Sequence, residues 1–137
     1  MTNITQWGEA EEIPGTPFGR VLGADNTAGG LTLLTVEMPP GITVDEHAHQ
    51  DEDQILVVIS GTIGVSIDGE KFELTDGGVA FVPRGSRHSL WNDSGAVARV
   101  LDMYTPGGME RMFTAAGENA AGGEARGSDY AAAGAQS

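Results

Sequence analysis

The chain contains no cysteine. That excludes a disulfide framework and thiolate chemistry, and leaves nitrogen and oxygen as the only donors for a bound metal. Basic residues are scarce as well: seven Lys and Arg stand against twenty Asp and Glu, for a net charge of -13. Such a balance repels phosphate backbones and anionic lipid, so neither nucleic acid nor a membrane is an expected partner. No segment approaches the roughly eighteen consecutive apolar residues of a spanning helix. The opening residues, MTNITQWGEAEEIPG, lack the basic start and apolar run of a secretion signal, and the resulting expectation is a soluble cytoplasmic protein. Helical periodicity is nearly missing too. At 137 residues the chain is long enough to bury one core and too short to bury two.

What is present is glycine, 21 residues of it, spaced as punctuation between short apolar runs rich in β-branched side chains. GGLTLLTVEMPPG, DQILVVISG, GTIGVSIDG, EKFELTDGG, VAFVPRGS and VARVLDMYTPGG read as strands, and their regular spacing predicts an all-β sandwich or barrel. Asp68-Gly69 between two such runs is the sequence of a tight hairpin with positive φ at its centre. From Ala115 the composition shifts to AAGENAAGGEARGSDYAAAGAQS, which has too little apolar surface to offset its ordering entropy. A folded domain over 1–114 and a disordered tail over 115–137 are expected.

The three histidines of the chain are His47, His49 and His88. Residues two apart in a strand share a face, so His47 and His49 project together, a spacing that suits two imidazoles on one metal. The same alternation puts Gln54, Leu56 and Val58 on one face of the next run, and Asp53, Ile55 and Val57 on the other. If Gln54 faces inward with the histidines, Asp53 cannot do so without a bulge. His88 follows the turn residues Pro83 and Gly85 and begins another strand. Asp45, Glu46, Asp51, Glu52 and Asp53 read as a solvated rim.

These residues carry a family resemblance. GITVDEHAHQDEDQILVVISG resembles the first motif of the cupins, with Gly41, His47, His49, Gln54 and Gly61 at its defined positions; Gln54 stands where the family usually has Glu. GGVAFVPRGSRHSLWN resembles the second motif at Gly77, Pro83, Gly85, His88 and Asn92. The resemblance implies a small antiparallel β-barrel of jelly-roll type, a homodimer, and one divalent metal ion (Zn, Fe, Ni or Mn) held by His47, His49, Gln54 and His88. An amide in place of a carboxylate keeps an oxygen donor and removes a negative charge, which makes the metal a stronger Lewis acid. Three histidines and a glutamine resemble the ligand set of cupins that linearise unsaturated uronates; cupin polyketide cyclases also use an all-neutral set.

With no carboxylate on the metal, a proton-transfer group must lie elsewhere. RVLDMYTP puts Asp102 in an otherwise apolar strand with Tyr104 on the same face, and these two are the catalytic candidates. The uronate-linearising cupins share Asp, an aromatic and Pro at the positions of Asp102, Tyr104 and Pro106, then have Arg where this chain has Gly108, which leaves Arg111 a doubtful substitute. Leu34, Val36, Met38, Phe81 and Leu90 are candidates for an inward apolar lining, with Met103, Met109, Met112 and Phe113 closing the mouth. Such a lining suits a flat aromatic or polyketide-like small molecule better than a sugar. By parity Trp91 faces outward, toward a dimer surface. The leading expectation is a metal-dependent cyclase, isomerase or lyase. A dioxygenase and a non-catalytic binding module are the alternatives.

Overall fold

A computed structural model describes residues 6–119. Ten strands and one helix follow in order: β1 (Glu11–Glu12), β2 (Phe18–Leu22), β3 (Thr32–Met38), β4 (Thr43–His47), β5 (Asp53–Ser60), β6 (Ile63–Ile67), β7 (Glu70–Leu74), β8 (Val79–Val82), β9 (His88–Trp91), β10 (Ala98–Thr105) and α1 (Met109–Asn119). They form two antiparallel sheets, one ordered β1-β2-β3-β10-β5-β8 and the other β4-β9-β6-β7. The expected all-β jelly roll is the fold observed.

Period-two alternation decides which side chains enter the space between the sheets. On β5, Gln54, Leu56 and Val58 are buried while Ile55 and Val57 are half-exposed. On β10, Ala98, Val100, Asp102 and Tyr104 are buried. The core gathers Leu34, Leu56, Val58, Ile63, Val65 and Val100 from both sheets, each worth about 1.5–3 kcal/mol of transfer free energy when fully buried. Asp68 (φ 49°) and Gly69 (φ 86°) turn β6 into β7 as the tight hairpin expected. Trp91 lies over Gly64, where an added Cβ would come within 2.0 Å of the indole. The ring is half-buried on the outer side of its sheet.

Three expectations need correcting. Phe81 does not line the interior: it pairs with outward-facing Ile55, so Val82 is the buried residue at that end of β8 and Phe81 is 56% exposed. Met103, likewise, sits opposite Ile55 and Leu33 on the outer face and does not close the mouth. Helical structure is present in α1, and the boundary expected after residue 114 falls inside it. Met109, Met112 and Phe113 recur at helical spacing, and α1 packs them onto the core. The carboxylate of Glu110 accepts hydrogen bonds from the Thr32 hydroxyl, from the Ala24 N–H at 2.7 Å and from the Gly108 N–H at 3.2 Å. Phe113 stacks on Phe18, ring centroids 4.4 Å apart. The remainder of the expected tail, residues 120–137, lies outside the described residues, as do residues 1–5.

Candidate metal centre

His47 closes β4 and His88 opens β9, and the two are register partners across the sheet. The β4–β9 pairing shifts between Val44 and His47, a local irregularity of the kind that re-aims side chains. His49 lies two residues beyond. The three buried imidazoles stand with ring centroids 4.3 to 4.9 Å apart, and one ring nitrogen of each lies within 4.8 Å of the others. His47 Nδ1 lies 2.8 Å from the Asp45 carbonyl and His88 Nδ1 lies 3.0 Å from the Ser86 carbonyl. With Nδ1–H donating to those carbonyls, Nε2 of each ring carries the lone pair, as a metal ligand must. Burial holds the pKa of His47 below the ordinary value. Burial, followed by the neighbouring His47, brings His88 down to about 4. Both rings are therefore neutral at pH 7.

Gln54 joins this cluster to the acidic pair. Its Nε2 donates to Asp102 Oδ1 at 2.8 Å and to the Tyr104 hydroxyl at 3.1 Å, and the Tyr104 O–H donates to Asp102 Oδ2 at 2.9 Å. The β10–β5 register, Tyr104 opposite Gln54 and Asp102 opposite Leu56, puts all three on one inward patch. Tyr104 also meets His49 edge to face at 5.3 Å, so the triangle borders the imidazole cluster. With its nitrogen engaged on the Asp102 side, Gln54 has its oxygen left for another partner. Gln54 Oε1 and His88 Nε2 are buried with no hydrogen-bond acceptor or donor opposite them. An unsatisfied buried polar atom costs about 1–3 kcal/mol, a cost that a cation bound among these donors would remove. Three imidazoles and an amide oxygen are a donor set for a borderline divalent metal. The residues present fit the group.

Asp102 is 4% exposed. Burial pushes its carboxyl up to about 6, and the hydrogen bonds from Gln54 and Tyr104 offset only part of that rise. Burial, then the adjacent Asp102, holds the Tyr104 phenol well above its ordinary value. Both face a hollow of about 40 Å³ between the sheets. Its walls include Phe18, Val36, Met38, Leu90 and Phe113, its polar end is His47, Gln54, Asp102 and Tyr104, and among the described residues no Lys or Arg lines it.

Val36, Met38 and Leu90 thus serve as the sequence suggested, whereas Leu34 packs in the core without bordering the hollow. Of the residues expected at the mouth, Phe113 alone reaches it; Met109 and Met112 pack onto the core. Phe18, Ile42, Val44 and Val100 line it too and were not singled out in the sequence, although strand parity marks Val100 through its shared face with Asp102. The acidic rim is partly paired: Asp53 bonds Arg84 at 3.2 Å and Glu46 bonds Arg87 at 2.9 Å. Glu52 departs from a solvated rim, since its Oε1 is buried without a hydrogen-bond partner. Arg111 is exposed and away from the hollow. Among the described residues no helix is long and apolar enough to cross a membrane.

Comparison with known proteins places the chain among its relatives. The tetracenomycin polyketide synthase protein TcmJ of Streptomyces glaucescens is 37% identical over 71 residues, 52% of this chain and 48% of that protein. Quercetin 2,3-dioxygenase of Bacillus subtilis is 25% identical over 117 residues, 84% of this chain and 34% of that protein. The chain therefore spans half or less of the length of these two relatives. Among solved structures, a predicted oxalate decarboxylase from Thermotoga maritima superposes with a TM-score of 0.68 at 19% identity, covering 75% of this chain and 98% of that one. That likeness concerns the fold. The cupin domain family matches residues 34–104, a span that holds all three histidines, Gln54, Asp102 and Tyr104, and the chain belongs to that family.

Proposed function

We propose that this protein is a divalent-metal enzyme that moves a proton on a neutral carbonyl compound, as a cyclase, isomerase or lyase, with an aromatic polyketide-like molecule as substrate. The observation that carries the reading is the Gln54–Asp102–Tyr104 triangle set between the imidazole cluster and an apolar hollow. His47, His49, His88 and Gln54 Oε1 would hold the ion. Bound there, a divalent cation supplies Lewis acidity that polarises a carbonyl oxygen.

The remaining roles belong to the chain. Asp102, with a pKa of about 6, is largely ionised at pH 7 and basic enough to accept a proton from a carbon next to that carbonyl. Its protonated form returns the proton at a second position, so no co-reactant is consumed. Tyr104 O–H and Gln54 Nε2 hold one carboxylate oxygen each, which fixes the direction in which the other lone pairs point. The apolar walls exclude water, and among the described residues they offer no cation for a substrate carboxylate, which favours a neutral substrate over a uronate. The match to TcmJ supports a polyketide. The hollow of about 40 Å³ is small beside the few hundred Å³ usual for a small-molecule site, so binding of such a substrate requires it to widen.

The match to quercetin 2,3-dioxygenase across 84% of the chain supports a second reading, oxygen-dependent cleavage at the same site. Metal analysis of protein purified without added metal, followed by turnover of aromatic β-dicarbonyl compounds with and without oxygen, separates the two. The proton-transfer reading expects turnover to continue anaerobically and to fall at least about a hundredfold in Asp102→Asn, the usual scale of a general base. Strict dependence on oxygen, one molecule consumed per product, would replace it with the dioxygenase.

A further inference from the structure

We infer that Phe113 fills the aromatic subsite of the hollow, and that an aromatic substrate enters by expelling it. The inference rests on the aromatic substrate proposed above and identifies the wall that gives way. Val36 lines the hollow from β3, Leu56 from β5 and Asp102 from β10, and each of those strands lies between two hydrogen-bonded neighbours. Such walls retreat only by breaking ladder bonds on both sides. Phe113, 3% exposed, lines the hollow from α1 instead. An eleven-residue helix does not hold itself in water, so this wall is the one that moves at least cost.

The position of the ring says what would replace it. Its centroid lies 4.4 Å from that of Phe18, the planes 30° apart, and 6.0 Å from that of Tyr104. Tyr104 in turn bonds Asp102 Oδ2 at 2.9 Å and meets His49 edge to face at 5.3 Å. A substrate ring in the place of Phe113 therefore stacks on Phe18 and carries its substituents toward the proton-transfer pair and the imidazoles. The stack lost with Phe113 is replaced by one of the same kind. Space follows the same exchange: the hollow measures about 40 Å³, and an apolar cavity of about 150 Å³ is enough for benzene. Departure of one benzyl side chain supplies most of that difference.

The anchors of α1 leave that turn free to go. Glu110 accepts from the Thr32 hydroxyl and from the Ala24 N–H at 2.7 Å, and the Gly108 N–H donates to the Thr32 hydroxyl at 2.9 Å. These contacts fix the start of the helix. Phe113 lies almost one turn further on, so the segment that carries it can swing out or unwind while residues 108–110 stay in place. Phe113 is in this reading the residue that sets substrate class: it reserves a ring-shaped space that a flat aromatic molecule can take over.

The test uses 2-naphthol, a neutral fluorescent aromatic, titrated into the full chain as purified. The wild type is expected to bind it weakly and Phe113→Ala at least about tenfold more tightly, because the variant no longer has to vacate the subsite. The milder Phe113→Leu should fall between them. Hydrogen exchange of the wild type gives a second reading that needs neither variant to fold. A bound ligand ordinarily slows exchange around it, whereas here saturating 2-naphthol should speed the amides of 109–119 by about fivefold or more. Those of β10 should keep their protection. Slower or unchanged exchange in α1, equal acceleration in β10, a wild type that does not bind, or equal affinity in Phe113→Ala would each overturn the inference. Because no turnover is measured, failure of the proton-transfer reading would leave a positive result standing. Anaerobic turnover by wild type whose α1 stays protected throughout would remove the displacement of Phe113 and leave that reading in place.

Discussion

Gln54 is an amide because of its neighbour. Its Nε2 donates to a carboxylate oxygen of Asp102 at 2.8 Å; a glutamate there would set two carboxylates in contact, and such a pair keeps one proton between them near neutrality. From charge alone, Gln54→Glu should bind a dication more tightly. With Asp102 in place, the variant is instead expected to release about one additional proton for each metal ion bound at pH 6–7, read from the buffer dependence of the calorimetric enthalpy. Adding Asp102→Asn restores a donor opposite residue 54 and should abolish the additional release. Equal release from the single and double variants would show that Gln54 and Asp102 are not coupled.

Asp102 also gives the metal-free protein a pH signature. Its folded pKa of about 6 lies above the ordinary 3.8, so its contribution favours folding below pH 4 and is lost as pH rises through 6. A shift of that size corresponds to about 3 kcal/mol. His88 runs the other way: its folded value of about 4 lies below 6.5, and its stability is present above pH 6.5 and lost as pH falls through 4. Urea unfolding of the metal-free wild type and of Asp102→Asn between pH 4 and 7 separates these effects. The variant should gain on the wild type as pH rises across that window. A difference that does not vary with pH would contradict a buried, titrating Asp102.

At the scale of elements, α1 is the piece whose stability depends most on docking. Eleven residues are too few for an isolated helix to persist in water, so its hold comes from Phe113 against Phe18 and from Glu110 bridging Thr32, Ala24 and Gly108. Glu110→Ala leaves the Thr32 hydroxyl and the Ala24 N–H without their acceptor and should cost about 2 kcal/mol. Phe113→Ala should cost about 3–5 kcal/mol while enlarging the hollow, so that an apolar fluorescent probe gains access in the variant. Both costs are measurable by chemical denaturation. Truncation after Thr114 removes the last turns of α1 and should lower the melting temperature by several degrees. Truncation after Asn119 should leave it nearly unchanged.

For the whole molecule, the metal centre and the core are separable. Leu34, Leu56, Val58, Ile63 and Val65 are buried without reference to the imidazoles, so His47→Ala and His88→Ala should unfold near the temperature of the metal-free wild type. Zinc at about a hundred times its dissociation constant should stabilise the wild type by about 2.7 kcal/mol and leave either variant unshifted. A variant that retains stoichiometric metal and is stabilised equally would remove that histidine from the site.

Which properties could be read without coordinates follows from their range along the chain. Strand faces were legible because alternation is local: His47 with His49, and Asp102 with Tyr104, share a face whatever the strands pair with. The Asp68-Gly69 hairpin was legible for the same reason, since it requires only its own two dihedrals. Contacts between distant strands were not. That Gln54 bonds Asp102, 48 residues away, depends on the register of β5 against β10, and the meeting of His47 and His88 depends on β4 pairing with β9. Phe81 was misplaced because apolarity does not say which side of an edge strand a residue takes; its pairing with Ile55 does. The helix was hidden because its few apolar residues acquire meaning only when Glu110 and Phe113 find Thr32 and Phe18. Local stereochemistry and hydrophobic pattern are written in neighbouring residues, whereas register and docking are chosen by the packing free energy of the whole chain.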